Sequence, residues 1–300
     1  MRILVTGAAG AVGSYVPSVF GDAELILTDI RGGLRELDIR DPRAVSAAVT
    51  ELKPDLVLHL AAATDVDACE RDHDHAFATN AIGTQNVALA CRDAGCELVY
   101  ISTAGVFWGD KPEPYTEYDE PGPANVYGHS KLAGERYVTA MLDRFYIVRA
   151  GWMVGGGGLD KKFVGKIAEQ IRAGRTELKA VDDKFGSPTY APDMLRLIKR
   201  LLGTGYHGLY HGVNRGTCTR YDVALELRSI LERPDVTIEP VSSAFFPLPA
   251  PRARSEAMRN YKLELLGLDE SRPWQDALRE YVVRELVPAM DAAPFYSTTT

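Results

Sequence analysis

Cysteine is scarce, with four in 300 residues. Cys69, Cys91, Cys96 and Cys218 form no CxxC pair, and the Cys91-x4-Cys96 spacing has no histidine or second cysteine pair beside it. That leaves neither a disulfide framework nor a zinc site, and reduced thiols in a cytoplasmic protein are expected. The run Arg71-Asp72-His73-Asp74-His75 lacks a further ligand cluster and reads as a solvated helix start, so no metal is expected. A block of lysine or arginine is also missing: 34 basic against 41 acidic side chains give a net charge of −7. Such a chain carries no electrostatic footprint for nucleic acid or an anionic membrane. No apolar run approaches a membrane span. The first residues pass straight into a glycine loop, so no signal peptide is expected, and no internal repeat is visible.

What is present is ordinary for a soluble enzyme, with 46% hydrophobic and 25% charged residues. In the first half, short β-branched apolar runs at 2–6, 24–29, 56–60, 98–102 and 145–149 alternate with helical stretches at 11–20, 42–51, 74–94 and 124–142. This alternation is the pattern of a parallel sheet covered on both faces. The expected class is α/β, a Rossmann-type doubly wound parallel sheet with a smaller C-terminal substrate-binding lobe. Beyond Gly151 the alternation breaks. The run 155–158 of four glycines reads as a mobile loop before a helix near Asp160. Residues 185–190 read as a loop, 193–202 as a helix and 208–213 as a strand returning to the main sheet. The prolines of 246–251 demand extended chain, and a last amphipathic helix spans about 274–287. The expected division is a dinucleotide-binding core at 1–150 with a return segment at 188–213. A lobe at 151–187 and 214–290 and a flexible tail at 291–300 complete it.

Gly7-Ala8-Ala9-Gly10-Ala11-Val12-Gly13 follows the first strand and opens the first helix. Glycines at such a turn let backbone N–H groups approach a pyrophosphate, which the helix N-terminus also attracts. Asp29 ends the second strand, 22 residues past Gly7, where a carboxylate can hydrogen-bond an adenosine ribose and disfavour a 2′-phosphate. Arg31 could instead accept that phosphate, so NAD is preferred over NADP by a small margin. Asp38 and Ile39 stand where an acidic residue and an apolar neighbour could hold adenine. Farther on, Tyr127 and Lys131 are four residues apart on a helix and share a face. A free tyrosine has a pKa of about 10. Lowering it by about 3 units takes about 4 kcal/mol of bias toward the phenolate, which one cation at about 4 Å can supply.

The glycine loop, Leu60-Ala61-Ala62-Ala63-Thr64-Asp65-Val66-Asp67, Asn80-Ala81-Ile82-Gly83-Thr84 and Ile101-Ser102-Thr103, set ahead of Tyr127-x-x-x-Lys131, resemble an extended short-chain dehydrogenase/reductase. Pro114-Tyr115-Thr116-Glu117, Val181–Tyr190 with its Phe-Gly-Ser-Pro-Thr-Tyr block, and Arg272-Pro273-Trp274 narrow this. With them the chain resembles the dTDP-4-dehydrorhamnose reductase family from residue 1 to about 285. The resemblance implies an NAD(P)H-dependent reductase of a nucleotide-linked 4-keto-6-deoxy sugar, in which Tyr127 gives the proton. It implies that Lys131 lowers the tyrosine pKa and bonds the nicotinamide ribose, and that Thr103 helps bind the carbonyl oxygen. Ala61, Ala62, Ala63 and Asn80 join the cofactor set. Ala104, Trp152, Arg252 and Arg254 border the substrate, the two arginines being candidates for its diphosphate. Two departures stand out. Ala104 and Gly105 replace an acidic and an aromatic residue beside the catalytic threonine, and Lys162 replaces a common asparagine before Phe163. These point to a different 4-keto sugar or product stereochemistry. An epimerase or dehydratase of the same superfamily, and a non-catalytic subunit like the regulatory one of methionine adenosyltransferase, are the alternatives. A homodimer is one option for assembly.

Overall fold

Strands with consecutive apolar residues, such as Ile3-Leu4-Val5 and Leu56-Val57-Leu58, need cover on both faces, and the chain supplies it from two sets of helices. The computed structural model describes residues 1–288; the expected tail at 291–300 lies outside the described residues. In chain order, β1 (Arg2–Thr6) leads through a 3₁₀ turn (Gly13–Tyr15) to the short α1 (Val16–Val19), then β2 (Glu24–Asp29), β3 (Arg35–Glu36), α2 (Pro42–Leu52) and β4 (Leu56–His59). Helices α3 (Val66–Arg71), α4 (His73–Phe77) and α5 (Thr84–Ala94) precede β5 (Glu97–Thr103), α6 (Val126–Met141) and β6 (Phe145–Ala150). Next come β7 (Trp152–Val154), α7 (Phe163–Arg172), β8 (Glu177–Val181), β9 (Phe185–Gly186), β10 (Pro188–Tyr190), α8 (Ala191–Leu202) and β11 (Gly208–His211). The chain closes with β12 (Cys218–Thr219), α9 (Arg220–Ile230), β13 (Thr237–Val241), β14 (Ser255–Glu256), α10 (Tyr261–Leu265) and α11 (Trp274–Tyr281).

Seven strands form one parallel sheet in the order β11-β6-β5-β4-β1-β2-β3. The order reverses between β1 and β4, and ligands of open α/β sheets bind beyond the carboxyl ends of strands at such a switch point. One face packs Leu4, Val57, Leu98 and Ile147 against Val45, Val87 and Val138 of α2, α5 and α6. The other packs Ile3, Leu58 and Val148 against Val16 of α1 and Leu195 and Ile198 of α8. A second core joins Val164, Ile167 and Ile171 of α7 with Leu227 of α9, Ile238 of β13 and Leu278 of α11. Among the described residues no helix is long and apolar enough to cross a membrane.

Several expected boundaries shift for local reasons. The helix expected at 11–20 is a 3₁₀ turn and one turn of α1, broken by loop geometry and Pro17. The stretch expected as one helix at 74–94 passes through a π-helical segment, Ala78–Gly83. The helix expected near Asp160 begins at Phe163, with the Asp160 carboxylate accepting from the Lys162 and Gly165 N–H groups. Residues 185–190, expected as a loop, form β9 and β10, which pair with β12, β14 and β7. Gly186 and Pro188 read as breakers, yet both sit in strands of two or three residues where few ladder bonds are needed. The run 208–213 does return to the main sheet, as β11 beside β6, and 246–251 is free of helix.

Candidate active site

The turn after β1 is built for close backbone approach. Gly7 has φ +72°, and a Cβ there would lie 2.5 Å from the Ala61 nitrogen; one at Gly13 would lie 2.3 Å from the Ala8 oxygen. Glycine at position 7 lets the turn after β1 nest against the end of β4, and glycine at position 13 lets the turn close on Ala8. Gly10 is exposed and Ala11 and Val12 are half-buried, so the rim of the turn is open to a ligand. The Asp29 carboxylate accepts from the Ala9 N–H at 3.0 Å and from the Arg31 N–H at 3.0 Å. It therefore braces the turn as well as bordering it, while the Arg31 side chain is exposed. Asp38 accepts from Arg40 through both carboxylate oxygens, and that guanidinium holds it below the usual carboxylate range. Ile39 is 4% exposed and packs in the core against Gly83, so its side chain faces away from solvent. Ala61, Ala62 and Ala63 follow β4 at the switch point. Buried Asn80 clamps them: its Oδ1 accepts from the Ala63 N–H at 2.8 Å, and its Nδ2 donates to the Ala63 oxygen and to Ser130 Oγ, each at 3.0 Å. Asn80 lies in the π segment, a geometry that recurs at functional sites.

Asn125 starts α6 by accepting from the Gly128 N–H at 2.9 Å. The helix then carries Tyr127 and Lys131 to the ends of β4 and β5. Gly128 permits this approach: a Cβ there would lie 2.1 Å from the Gly105 oxygen. Thr103 ends β5, its Oγ1 accepts from the Gly105 N–H at 3.0 Å, and its side chain lies beside Tyr127, where it favours the phenolate. Thr103 and Tyr127 thus lie side by side against Gly105. Their electrostatics differ from the expectation. Burial pushes the Tyr127 phenol up to about 12, Thr103 opposing it. Lys131, 3% exposed, is pulled down to about 7 by burial, with Glu135 opposing. Its Nζ sits 4.1 Å from the centroid of the Tyr100 ring. The expected lowering of the tyrosine by the lysine is absent here: burial dominates, Thr103 opposes it, and the charges felt are those of Cys69 and Glu256. Below the site, His59 accepts or donates to Thr6 and Thr84 at 2.7 and 3.1 Å and stacks on Tyr100; burial lowers it to about 3, so it is neutral.

On the substrate side Ala104 is buried, opening a 3₁₀ turn (Ala104–Val106). Trp152 lies in β7, and its indole is already engaged. A Cβ on Gly186 would come 2.3 Å from the ring, Nε1 donates to Glu256 at 3.0 Å, and the Arg220 guanidinium stacks at 3.7 Å from the centroid. Arg252 is paired with Asp67 at 2.9 Å and donates to the Ala250 oxygen at 2.8 Å. Arg254 is exposed. Sequence reading missed Asp67 in this role, together with Gly186, Arg220 and Glu256. Their pairings span up to 185 positions and no local spacing reveals them.

A family model described as the RmlD substrate binding domain matches residues 1–287. The chain is 37% identical over 285 residues to a dTDP-4-dehydrorhamnose reductase of Mycobacterium tuberculosis, covering 92% of this chain and 91% of the relative. It is 33% identical over 283 residues to a dTDP-4-keto-6-deoxy-D-glucose reductase of Streptomyces niveus, covering 93% and 96%. A dTDP-4-dehydrorhamnose reductase from Bacillus anthracis, solved in complex with NADP, superposes with a TM-score of 0.89 at 34% identity, covering 94% of this chain and 99% of that one. A UDP-glucose 4-epimerase from Thermus thermophilus shares the fold, with a TM-score of 0.82 at 24% identity, covering 98% and 100%. By sequence, coverage and fold, the chain belongs to the RmlD substrate binding domain family.

Proposed function

We propose that this protein reduces the 4-keto group of a nucleotide-linked 6-deoxyhexose with NADPH or NADH, Tyr127 delivering the proton. The observation that carries the reading is that the Thr103 and Tyr127 side chains are neighbours at the carboxyl end of β5, two strands from the glycine turn. The turn suits a dinucleotide, because at Gly7 and Gly13 a Cβ would collide with backbone. The set Gly7, Gly10, Ala11, Val12, Gly13, Asp29, Arg31, Asp38 and Ala61–Ala63 would hold it, with Lys131 on its ribose. When bound, a reduced nicotinamide supplies hydride. The rest falls to side chains. Thr103 orients the carbonyl oxygen and Tyr127 protonates it as charge develops. Lys131, in its charged form, favours the phenolate left behind. In this reading residues 1–150 with 188–213 serve the cofactor, and 151–187 with 214–290 the sugar. Four free, buried thiols suit a reducing cytoplasm.

The test is NADPH and NADH oxidation over a panel of dTDP-4-keto-6-deoxyhexoses. Turnover is expected with at least one, and Tyr127→Phe is expected to lower kcat by about 10²–10⁴-fold. Tight cofactor binding with no oxidation on any panel member would overturn the reading in favour of a non-catalytic role.

A further inference from the structure

Arg220 lies on the Trp152 ring with no hydrogen-bond acceptor among the described residues, and the exposed Lys162 stands near enough for the two charges to act on one another. Arg220 opens α9, and its guanidinium lies 3.7 Å from the Trp152 ring centroid and 5.1 Å from that of Phe163. Among the described residues no hydrogen bond or salt bridge engages that guanidinium. The platform beneath it is fixed, since Trp152 is wedged against Gly186 and held by Glu256. Lys162 stands at the start of α7, next to Phe163, and is exposed. The two charges repel one another, and Arg220, half-buried, is brought down to about 10 by desolvation.

The acidic groups around them are at least partly engaged. Glu256 accepts from Trp152 through one oxygen, and its charge favours the Arg220 cation without a hydrogen bond to it. The Asp160 carboxylate accepts from the Lys162 and Gly165 N–H groups and from the Tyr281 hydroxyl. The Cys218 thiol is pushed up to about 12 and is neutral. Arg252, a third cation nearby, already has Asp67. A fork of donors held rigid on an aromatic face, with a second cation at a helix start, is the arrangement that suits a multiply charged oxyanion.

We propose that Arg220, assisted by Lys162, receives the diphosphate of the nucleotide-linked substrate, the role that the sequence suggests for Arg252. This rests on the sugar-nucleotide reading above. It makes Arg220 a binding residue remote from the reacting carbonyl, so its loss is felt in KM more than in kcat.

The experiment is calorimetric titration of the NADP⁺-loaded protein with thymidine 5′-diphosphate and with thymidine. Arg220→Met is expected to weaken the diphosphate about 10–100-fold, in line with charge-assisted hydrogen bonds, and to leave thymidine within about twofold. Arg252→Gln is expected to weaken the diphosphate less. With substrate, KM should rise by a similar factor while kcat changes by less than about threefold. Arg220→Gln, which keeps the stem packed on Trp152, replaces Arg220→Met if the latter no longer binds NADP⁺. Diphosphate binding that survives both Arg220 variants, or that depends more on Arg252, overturns the assignment alone. Wild-type protein that binds neither thymidine compound removes the sugar-nucleotide reading, and the assignment with it.

Discussion

Lys131 is the charge whose burial matters most to the chemistry. Tyr127, held up at about 12, stays protonated across any working pH and is always ready to donate. Its proton is given up more easily when a cation stands by to favour the phenolate, and Lys131 is cationic only below about 7. The sign follows: a lysine with a lowered pKa loses its charge as pH rises through that value. For reduction, kcat/KM should be level below about pH 7 and fall by up to tenfold per unit above it, because that ratio reports the free enzyme. A steady-state profile from pH 5.5 to 9 with saturating NADPH checks this, and a flat profile would show that Lys131 is charged or irrelevant throughout. Glu135, one turn along α6, sets this balance indirectly. It forms a bidentate pair with Arg149 at 2.9 and 2.7 Å, both side chains nearly inaccessible. Its charge is therefore largely committed, which leaves burial as the dominant influence on the lysine.

At the scale of elements, the site depends on how closely α6 can lie on the 3₁₀ turn after β5. Gly128 and Gly105 face each other there, and they differ. A Cβ at Gly128 meets the Gly105 oxygen at 2.1 Å and Pro123 Cβ at 2.9 Å, so backbone must move. A Cβ at Gly105 meets Thr103 Oγ1 at 3.4 Å and Tyr127 Cδ1 at 3.7 Å, ordinary contact. Gly128→Ala is expected to cost about 1–3 kcal/mol or more and to cut turnover by shifting Tyr127. Gly105→Ala should stay within about 1 kcal/mol. Chemical denaturation of the two variants decides, and equal losses would mean that α6 gives way more readily than the contact implies. Part of this was legible in the sequence, since Tyr127 and Lys131 fall four residues apart on one expected helix. The β-αβ alternation likewise announced the sheet, and the glycine spacing announced the turn that nests on Ala61. The π segments were not legible. Inserting one residue into a helical turn at Ala78–Gly83 or Val282–Leu286 leaves the apolar spacing nearly unchanged while redirecting Asn80 and Glu285. Nor could spacing show that Arg252 would find Asp67, or that both faces of Trp152 would be covered.

Glu285 is where the two cores are joined. Its carboxylate accepts from the Tyr15 hydroxyl in the helix after the glycine turn, and at 2.8 Å from Tyr190 of β10. Tyr15 in turn accepts from the Gly156 N–H. The four-glycine run, expected to be mobile, is thereby tied down: a Cβ on Gly156 would come 2.8 Å from Ala11 Cβ in the nucleotide turn. The Tyr15 and Tyr190 rings pack edge to face at 6.2 Å, which fixes the two phenols together. Burial and the neighbouring carboxylate push both phenols well above their ordinary range, so both remain donors. A C-terminal residue thus sets the height of a loop against the turn expected to hold the cofactor. Glu285→Ala leaves two partly buried phenols without their acceptor, at about 1.5–3 kcal/mol for each bond to a charged group. It should lower the unfolding midpoint and weaken NADPH binding together, whereas Tyr190→Phe, which removes one bond and leaves the Tyr15–Gly156 tie intact, should lower stability with little effect on NADPH. Fluorescence titration of NADPH beside a thermal melt separates the two. Loss of stability in Glu285→Ala with cofactor affinity unchanged would show that the second core supports the fold without setting the nucleotide turn.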